Sequence, residues 1–318
     1  MPKSSRPFKL SRAAVGFAAI ALAAMLWAIA AIAASSLFQS GVSPLELAMA
    51  RAIIAAIGLG VVHQLWQPNP KFGDWHILAL GLSLALVTLA YYIAIERLAV
   101  AIAVVIQYTA PVLIVIWAML KHRKVPALSV TIALIAAIAG VTLISELPTG
   151  NFGLDGLGLL MACLSAFCFA SYTLLSESAV ATYGAVGVMF RAFTVSSLFW
   201  IAVQFTQGFP AALFVPEHLP GVLLVGIGGT LIPFSLYCWG IERVQSERGA
   251  IAATLEPLAA AIFAWIGLGQ TLSVMQILGG ILILTAVVSL QIKPQHGCIP
   301  ILQVCPHPPT PSPKREKG

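Results

Sequence analysis

Four side chains of this sequence could do chemistry in surroundings where ionisable or polar groups are rare. Glu256, Arg51, Arg191 and Tyr108 all fall inside long apolar stretches. A charge held in hydrocarbon costs at least ~2.5–3.5 kcal/mol unless it finds a partner or water, so such residues are read as functional first. Glu256 lies about two turns inside its stretch and directly precedes Pro257. Proline has no N–H, so the carbonyl of Ala253 loses its helical donor and the helix is expected to kink beside the carboxylate. Pro111 does the same to Gln107, with Tyr108 about one turn before it and Ala110 where the other site has the acid. A symmetric kink with an asymmetric charge suits recognition of a substrate ammonium group or carriage of a coupling proton. The plainer use of Glu256 is a bond to a neighbouring helix. Arg51 and Arg191 likewise have two readings: attraction of an anionic or zwitterionic substrate at either entrance, or snorkelling and structural ion pairing.

Aromatic residues extend this candidate site. Trp27, Tyr91, Tyr108, Tyr237 and Trp239 suit the wall of a cavity or anchoring at an interface, and Tyr108 is the one assigned to the site because it precedes Pro111. Pro233, following Gly226, Gly228 and Gly229, marks another bent or closely packed helix.

The elements that carry these residues follow from composition. Apolar residues make up 59% of the 318 and charged residues 9%, against roughly half and a quarter in soluble domains. Ten stretches approach the ~20 residues that cross a ~30 Å hydrocarbon core as a helix. They run Ala13–Phe38, Leu47–Trp66, Trp75–Ile95, Leu98–Leu120, Val125–Ser145, Gly156–Ser176, Tyr183–Phe205, Leu219–Ile241, Gly249–Gly269 and Leu272–Ile292. The first outruns the ~7–15 residues of a secretory signal core and is read as a retained helix. The alternating pattern of a β-barrel is absent, so the expected fold is an all-α integral membrane bundle of ten transmembrane helices.

The sequence also repeats itself. Tyr91-x-x-x-Ile95-Glu96-Arg97 with Pro111 returns as Tyr237-x-x-x-Ile241-Glu242-Arg243 with Pro257, each displaced by 146 positions. Gly16, Met49 and Arg51 return as Gly156, Met189 and Arg191 at a displacement of 140, the difference falling in the loop near Phe209 to Pro220. The copies divide near Glu146 to Asp155, giving repeats at 13–146 and 155–292 with five helices each. An odd number of helices sends the second copy into the membrane from the opposite face, so the repeats are expected to be inverted, as in many secondary transporters.

Charge sets the orientation. With the N-terminus in the cytoplasm, fourteen of the 17 Lys and Arg fall on that side, among them Lys71, Lys121, Arg123, Lys124, Arg243 and Arg248. Arg97 falls outside. The net charge of +6 is thus a topology signal, and no basic face interleaved with stacking aromatics argues for nucleic acid. Cys163, Cys168, Cys238, Cys298 and Cys305 form no Cys-x-x-Cys pair and no zinc pattern with His, so free thiols, no metal and no cofactor are expected. No phosphate-binding glycine loop or nucleophilic triad is legible. Residues 293–318 crowd Pro294, Pro300, Pro306 and four further prolines into a polar run, which reads as a disordered tail.

On its helix count, on Gln107-Tyr108-Thr109-Ala110-Pro111 and Thr254-Leu255-Glu256-Pro257, and on Gly140 and Gly279-Gly280 of the closing helices, the chain resembles the EamA branch of the drug/metabolite transporter superfamily. The resemblance spans residues 13 to 292. It implies two five-helix repeats in the bacterial inner membrane, and export of amino acids, other small metabolites or drugs. The sequence departs from that family's usual glutamate at the end of each fourth helix, carrying Lys124 and Gln270. These sit at a membrane edge, where a loop contact rather than transport is put in doubt. The expected function is a secondary transporter that moves a small-molecule substrate by alternating access, with a proton as one candidate for coupling. The alternatives are a polytopic membrane enzyme, which needs at least two converging acid–base or metal-binding groups, and a sensor or assembly partner.

Overall fold

The computed structural model describes residues 11–66, 75–98, 100–146, 155–268 and 271–292. Lys71, Gln270, Cys298, Cys305 and the proline-rich segment lie outside the described residues. Regular structure within them is helical throughout: α1 (Arg12–Gln39), α2 (Pro44–Trp66), α3 (Trp75–Arg97), α4 (Val100–Gln107), α5 (Ala110–His122), α6 (Leu128–Ile144) and α7 (Gly156–Gln207). A 3-10 turn (Ala211–Phe214) then leads to α8 (Leu219–Leu223), a π-helical segment (Leu224–Leu231), α9 (Ile232–Val244), α10 (Ser246–Ala253), α11 (Leu255–Leu268) and α12 (Val274–Ile292). In hydrocarbon each backbone polar group must be satisfied within its own segment, which apolar helices achieve.

The helix starts are written locally. Ser11 Oγ accepts from Ala14 N at 3.1 Å and Asp155 Oδ1 from Gly158 N at 2.7 Å. Ser273 and Gln276 form a reciprocal capping box at 3.1 and 3.0 Å, satisfying two otherwise orphaned donors at the start of α12.

Among the described residues, eight helices are long and apolar enough to cross a membrane, and the 17-residue Leu128–Ile144 is apolar but shorter. One of the eight, α7, continues for 52 residues where two separate stretches are expected. At 1.5 Å per residue it would reach ~78 Å, more than twice the hydrocarbon core. It divides at Gly184, whose φ of 66° and ψ of 162° are non-helical and lie where glycine is favoured. The two arms of α7 correspond to the expected sixth and seventh stretches.

The arms fix the ends of the bundle. The first runs from Asp155, 3.6 Å from Arg97, to Glu177, whose carboxylate meets Ser246 at the start of α10. Arg12 at the start of α1 lies 3.8 Å from Glu242 at the end of α9. Glu96-Arg97 and Glu242-Arg243 therefore stand at opposite ends of the molecule. The principal core draws on α1, α2, α3, α5, α6, α7, α9, α10 and α12.

Small residues bring backbones together, as they must where lipid offers no hydrophobic drive between helices. A Cβ on Gly140 of α6 would stand 2.7 Å from the carbonyl oxygen of Gly279 of α12, and one on Gly279 would stand 2.6 Å from that of Gly140. The two closing helices thus touch backbone to backbone. In the π-helical segment, Gly226 faces Ile54 of α2 and Gly229 faces Ala30 of α1. Pro233 sits in the first turn of α9, and Thr230 Oγ1 donates to Val225 O at 2.8 Å. Missing donor and wider turn occur together here, and the glycines supply the close packing.

Candidate functional site

Two interrupted helices build the site. The chain breaks at Tyr108 and Thr109 between α4 and α5, and at Thr254 between α10 and α11, with Pro111 and Pro257 in the first turn that follows. The threonines close both breaks alike. Thr109 Oγ1 donates to Ile106 O at 2.6 Å, and Thr254 Oγ1 donates to Ile251 O at 2.6 Å. Each hydroxyl thus adds a second donor to a carbonyl at the broken end that already accepts from the same threonine's N–H.

The breaks bring two expected site residues together. The Tyr108 hydroxyl donates to Glu256 Oε2 at 2.8 Å, joining side chains 148 positions apart in sequence. Arg51 lies close enough for its charge to act on Glu256, and its guanidinium neighbours the Tyr92 hydroxyl. Tyr91 faces Glu256, while Tyr237 and Tyr91 face Tyr108. Glu256, Tyr108 and Tyr92 are each partly buried.

An aromatic wall adjoins these polar groups. Phe234 lies 5.1 Å from Trp27, Trp27 lies 5.5 Å from Tyr237, and Tyr237 stacks on Tyr172 at 6.0 Å between ring centroids. The Arg51 guanidinium carbon stands 5.8 Å from the Phe234 centroid, within cation–π range. Trp27 Nε1 and the Tyr172 hydroxyl are buried without a hydrogen-bond partner. A carboxylate, a guanidinium, several phenols and flat apolar faces therefore converge, a set that can hold a small molecule carrying both an ammonium and a carboxylate.

The other assigned residues lie apart from this cluster. Arg191 is buried beside Tyr183 and His63, donating to Gly187 O at 2.9 Å with its guanidinium carbon 4.5 Å from the Tyr183 ring. The helical context explains the separation. His63, at the end of α2, stacks on Phe190, whereas Arg51 lies near the start of α2. Pro233 shapes the helix that leads to Phe234 and Tyr237. Trp239 packs under Arg243 at 3.4 Å, away from the cluster. Lys124 is exposed in the loop after α5. Among the described residues, no group of three or more His, Cys, Asp or Glu is placed to hold a metal ion. A separate surface cavity of about 340 Å³, lined by Ser36, Ser40, Glu217 and His218 among others, does not include Glu256.

Three contributors escape a reading of the sequence. Tyr92 follows Tyr91 without a counterpart in the second repeat, where Cys238 stands. Thr173, whose Oγ1 lies 3.2 Å from the Tyr237 hydroxyl, is an ordinary residue of an apolar stretch. Glu177 stands just past the end of that stretch at Ser176, and an acid one turn after Thr173 was the available signal.

Comparison with known proteins gives one consistent result. The sequence matches the EamA-like transporter family over residues 14–146 and again over 156–291. It is 27% identical over 283 residues to the uncharacterized inner membrane transporter YicL of Salmonella typhimurium, covering 86% of this chain and 94% of that one. It is 26% identical over 239 residues to the threonine/homoserine exporter RhtA of Escherichia coli, covering 75% and 77%. A solved crystal structure superimposes with a TM-score of 0.72 over 87% of this chain and 95% of its own, at 19% identity, and shows the same fold.

Proposed function

The chain belongs to the EamA-like transporter family, and from that premise we propose that it is a secondary transporter exporting amino acids or other small organic metabolites by alternating access. The observation that carries this reading is the Tyr108–Glu256 hydrogen bond beside Arg51, which ties the two interrupted helices at one point. The carboxylate is assigned to a substrate ammonium group or a coupling proton, and Arg51 to the substrate carboxylate. The export of threonine and homoserine by a relative at 26% identity supports an amino-acid cargo.

The same proposal takes ten crossings, counting α7 twice and α6 once, arranged as inverted repeats at 13–146 and 155–292. Supporting it are the paired family matches, the matched threonine closures and the opposed Glu-Arg pairs. It places the protein in the bacterial inner membrane with both termini cytoplasmic, on the distribution of Lys and Arg.

The test is efflux from cells overexpressing the protein and loaded with labelled amino acids and metabolites, with wild type and Glu256→Gln compared at matched membrane abundance. A specific efflux that the variant loses is the expected result. Equal efflux from wild type and variant would remove Glu256 from the mechanism.

A further inference from the structure

We propose that Glu177 is the proton station through which Glu256 exchanges with one face of the membrane, by way of Tyr108, Tyr237 and Thr173. This rests on the reading of Glu256 as a proton carrier and names the route that reading requires. The first arm of α7 carries polar groups in an otherwise apolar helix, on the side that meets α9 and α10: Tyr172, Thr173, Ser176 and Glu177. They continue the line that begins at Glu256.

That line can be followed group by group. Glu256 accepts from the Tyr108 hydroxyl at 2.8 Å. Tyr237 lies in the neighbourhood of Tyr108. The Tyr237 hydroxyl lies 3.2 Å from Thr173 Oγ1, and Tyr237 in turn faces Glu177. Glu177 accepts from Ser246 Oγ at 2.6 Å and from Ser246 N at 3.2 Å, at the end of the bundle where Arg12 meets Glu242. Glu177 itself is only partly buried, so the line reaches the surface there.

Unpaired atoms beside the line point the same way. The Tyr172 hydroxyl and Ser176 Oγ are both buried without a hydrogen-bond partner. Buried polar groups are rarely left so, because an unmet donor or acceptor costs about 1–3 kcal/mol, and water commonly completes such sites. Water between Tyr108 and Tyr237, and between Tyr237 and Glu177, would satisfy these hydroxyls and span the remaining gaps.

The transfer balances. A proton leaves the Glu256 carboxyl, each hydroxyl or water passes on its own proton as it takes the arriving one, and the Glu177 carboxylate ends protonated while Glu256 ends ionised. The groups facing Glu256 are Tyr108, Tyr91 and Arg51. Those facing Glu177 are Tyr237, Ser246 and Glu247, and the last is itself near His122 and Arg248.

Infrared spectroscopy of the full chain in lipid nanodiscs, recorded after a rapid jump to alkaline pH, tests the route without a substrate. Glu256→Gln identifies which protonated-carboxyl band belongs to Glu256. In Glu177→Gln, which keeps an oxygen for Ser246 but cannot take up the proton, decay of that band is expected to slow by about 100-fold, the scale of removing a positioned proton-transfer group. Tyr237→Phe is expected to slow it as well, and Glu177→Asp to restore most of the wild-type rate. Unchanged decay in Glu177→Gln overturns the route while leaving Glu256 as a proton carrier. Absence of any band lost in Glu256→Gln overturns the proton-carrier reading and the route with it.

Discussion

The two interrupted helices are the same device put to different use. Each breaks before a proline, and each closes with a threonine hydroxyl 2.6 Å from a carbonyl three residues back. Between threonine and proline, however, the first copy has Ala110 alone, while the second has Leu255 and Glu256. The first helix contributes a phenol and an amide: Tyr108 reaches Glu256, and Gln107 Nε2 donates to Ser165 Oγ at 3.0 Å. The second contributes the acid. A duplicated scaffold can therefore keep its backbone solution while its side chains diverge into donor and acceptor, each half holding what the other lacks.

The sharpest way to break this comparison is to move the acid. Glu256→Ala combined with Ala110→Glu is expected to transport no better than Glu256→Ala alone, with both below wild type by about 10–100-fold, the scale of a lost hydrogen bond to a charged group. Ala110 is 1% exposed and packs with Ala166, Ala170 and Ala250, so a carboxylate there has no opening to face. Efflux at matched abundance measures this, and rescue by the transplanted acid would show the copies to be interchangeable.

A smaller effect tests the seam the repeats share. Gly140→Leu or Gly279→Leu should each destabilise the protein by about 1–3 kcal/mol through overpacking, because the added atoms meet backbone that cannot rotate aside. Thermal unfolding in detergent reads this. A lowered midpoint in only one of the two would show that α6 and α12 do not bear on each other equally.

The donor itself comes next. Tyr108→Phe keeps the ring and removes the bond to Glu256, for an expected loss of about tenfold in efflux. Arg191→Lys, remote from the acid, is expected to alter efflux less than Arg51→Lys, which removes a fork-shaped donor beside Glu256 and Tyr92. The reverse order would move the substrate's anionic end to the Arg191 side.

Smallest of all are the closures. Thr109→Val and Thr254→Val each remove one hydrogen bond worth about 1 kcal/mol. Equal losses of stability are expected, but Thr254→Val is expected to lower efflux more, because its break aims Glu256.

Much of the architecture was legible because it is periodic and coarse. Twenty-residue apolar stretches, the recurring Ile-Glu-Arg and the two prolines fix where helices run and where they yield. The continuity of α7 was not, since only packing shows that the chain turns at Gly184 without a long loop. Site residues divide by the same logic. Glu256, Tyr108 and Arg51 stood out as polar groups in apolar helices and share one location, but their contact joins residues too distant in sequence for local patterns to reveal. Arg191 showed the same signal and lies elsewhere, because the type of a residue marks the cost of its placement and not its neighbours. Glu177 and Thr173 carried almost no signal, as an acid at a helix end and a threonine within one are commonplace.

The glycine contact between α6 and α12 has a consequence for how the protein is made. Its two partners lie about 140 residues apart, and the second belongs to the last of the described helices, so the contact is non-local and forms late. During synthesis, α6 enters the bilayer with Gly140 facing no partner until α12 leaves the ribosome. A nascent chain stopped before Val274 would thus hold both interrupted helices and still present an open flank on α6, which closes only once α12 has been translated.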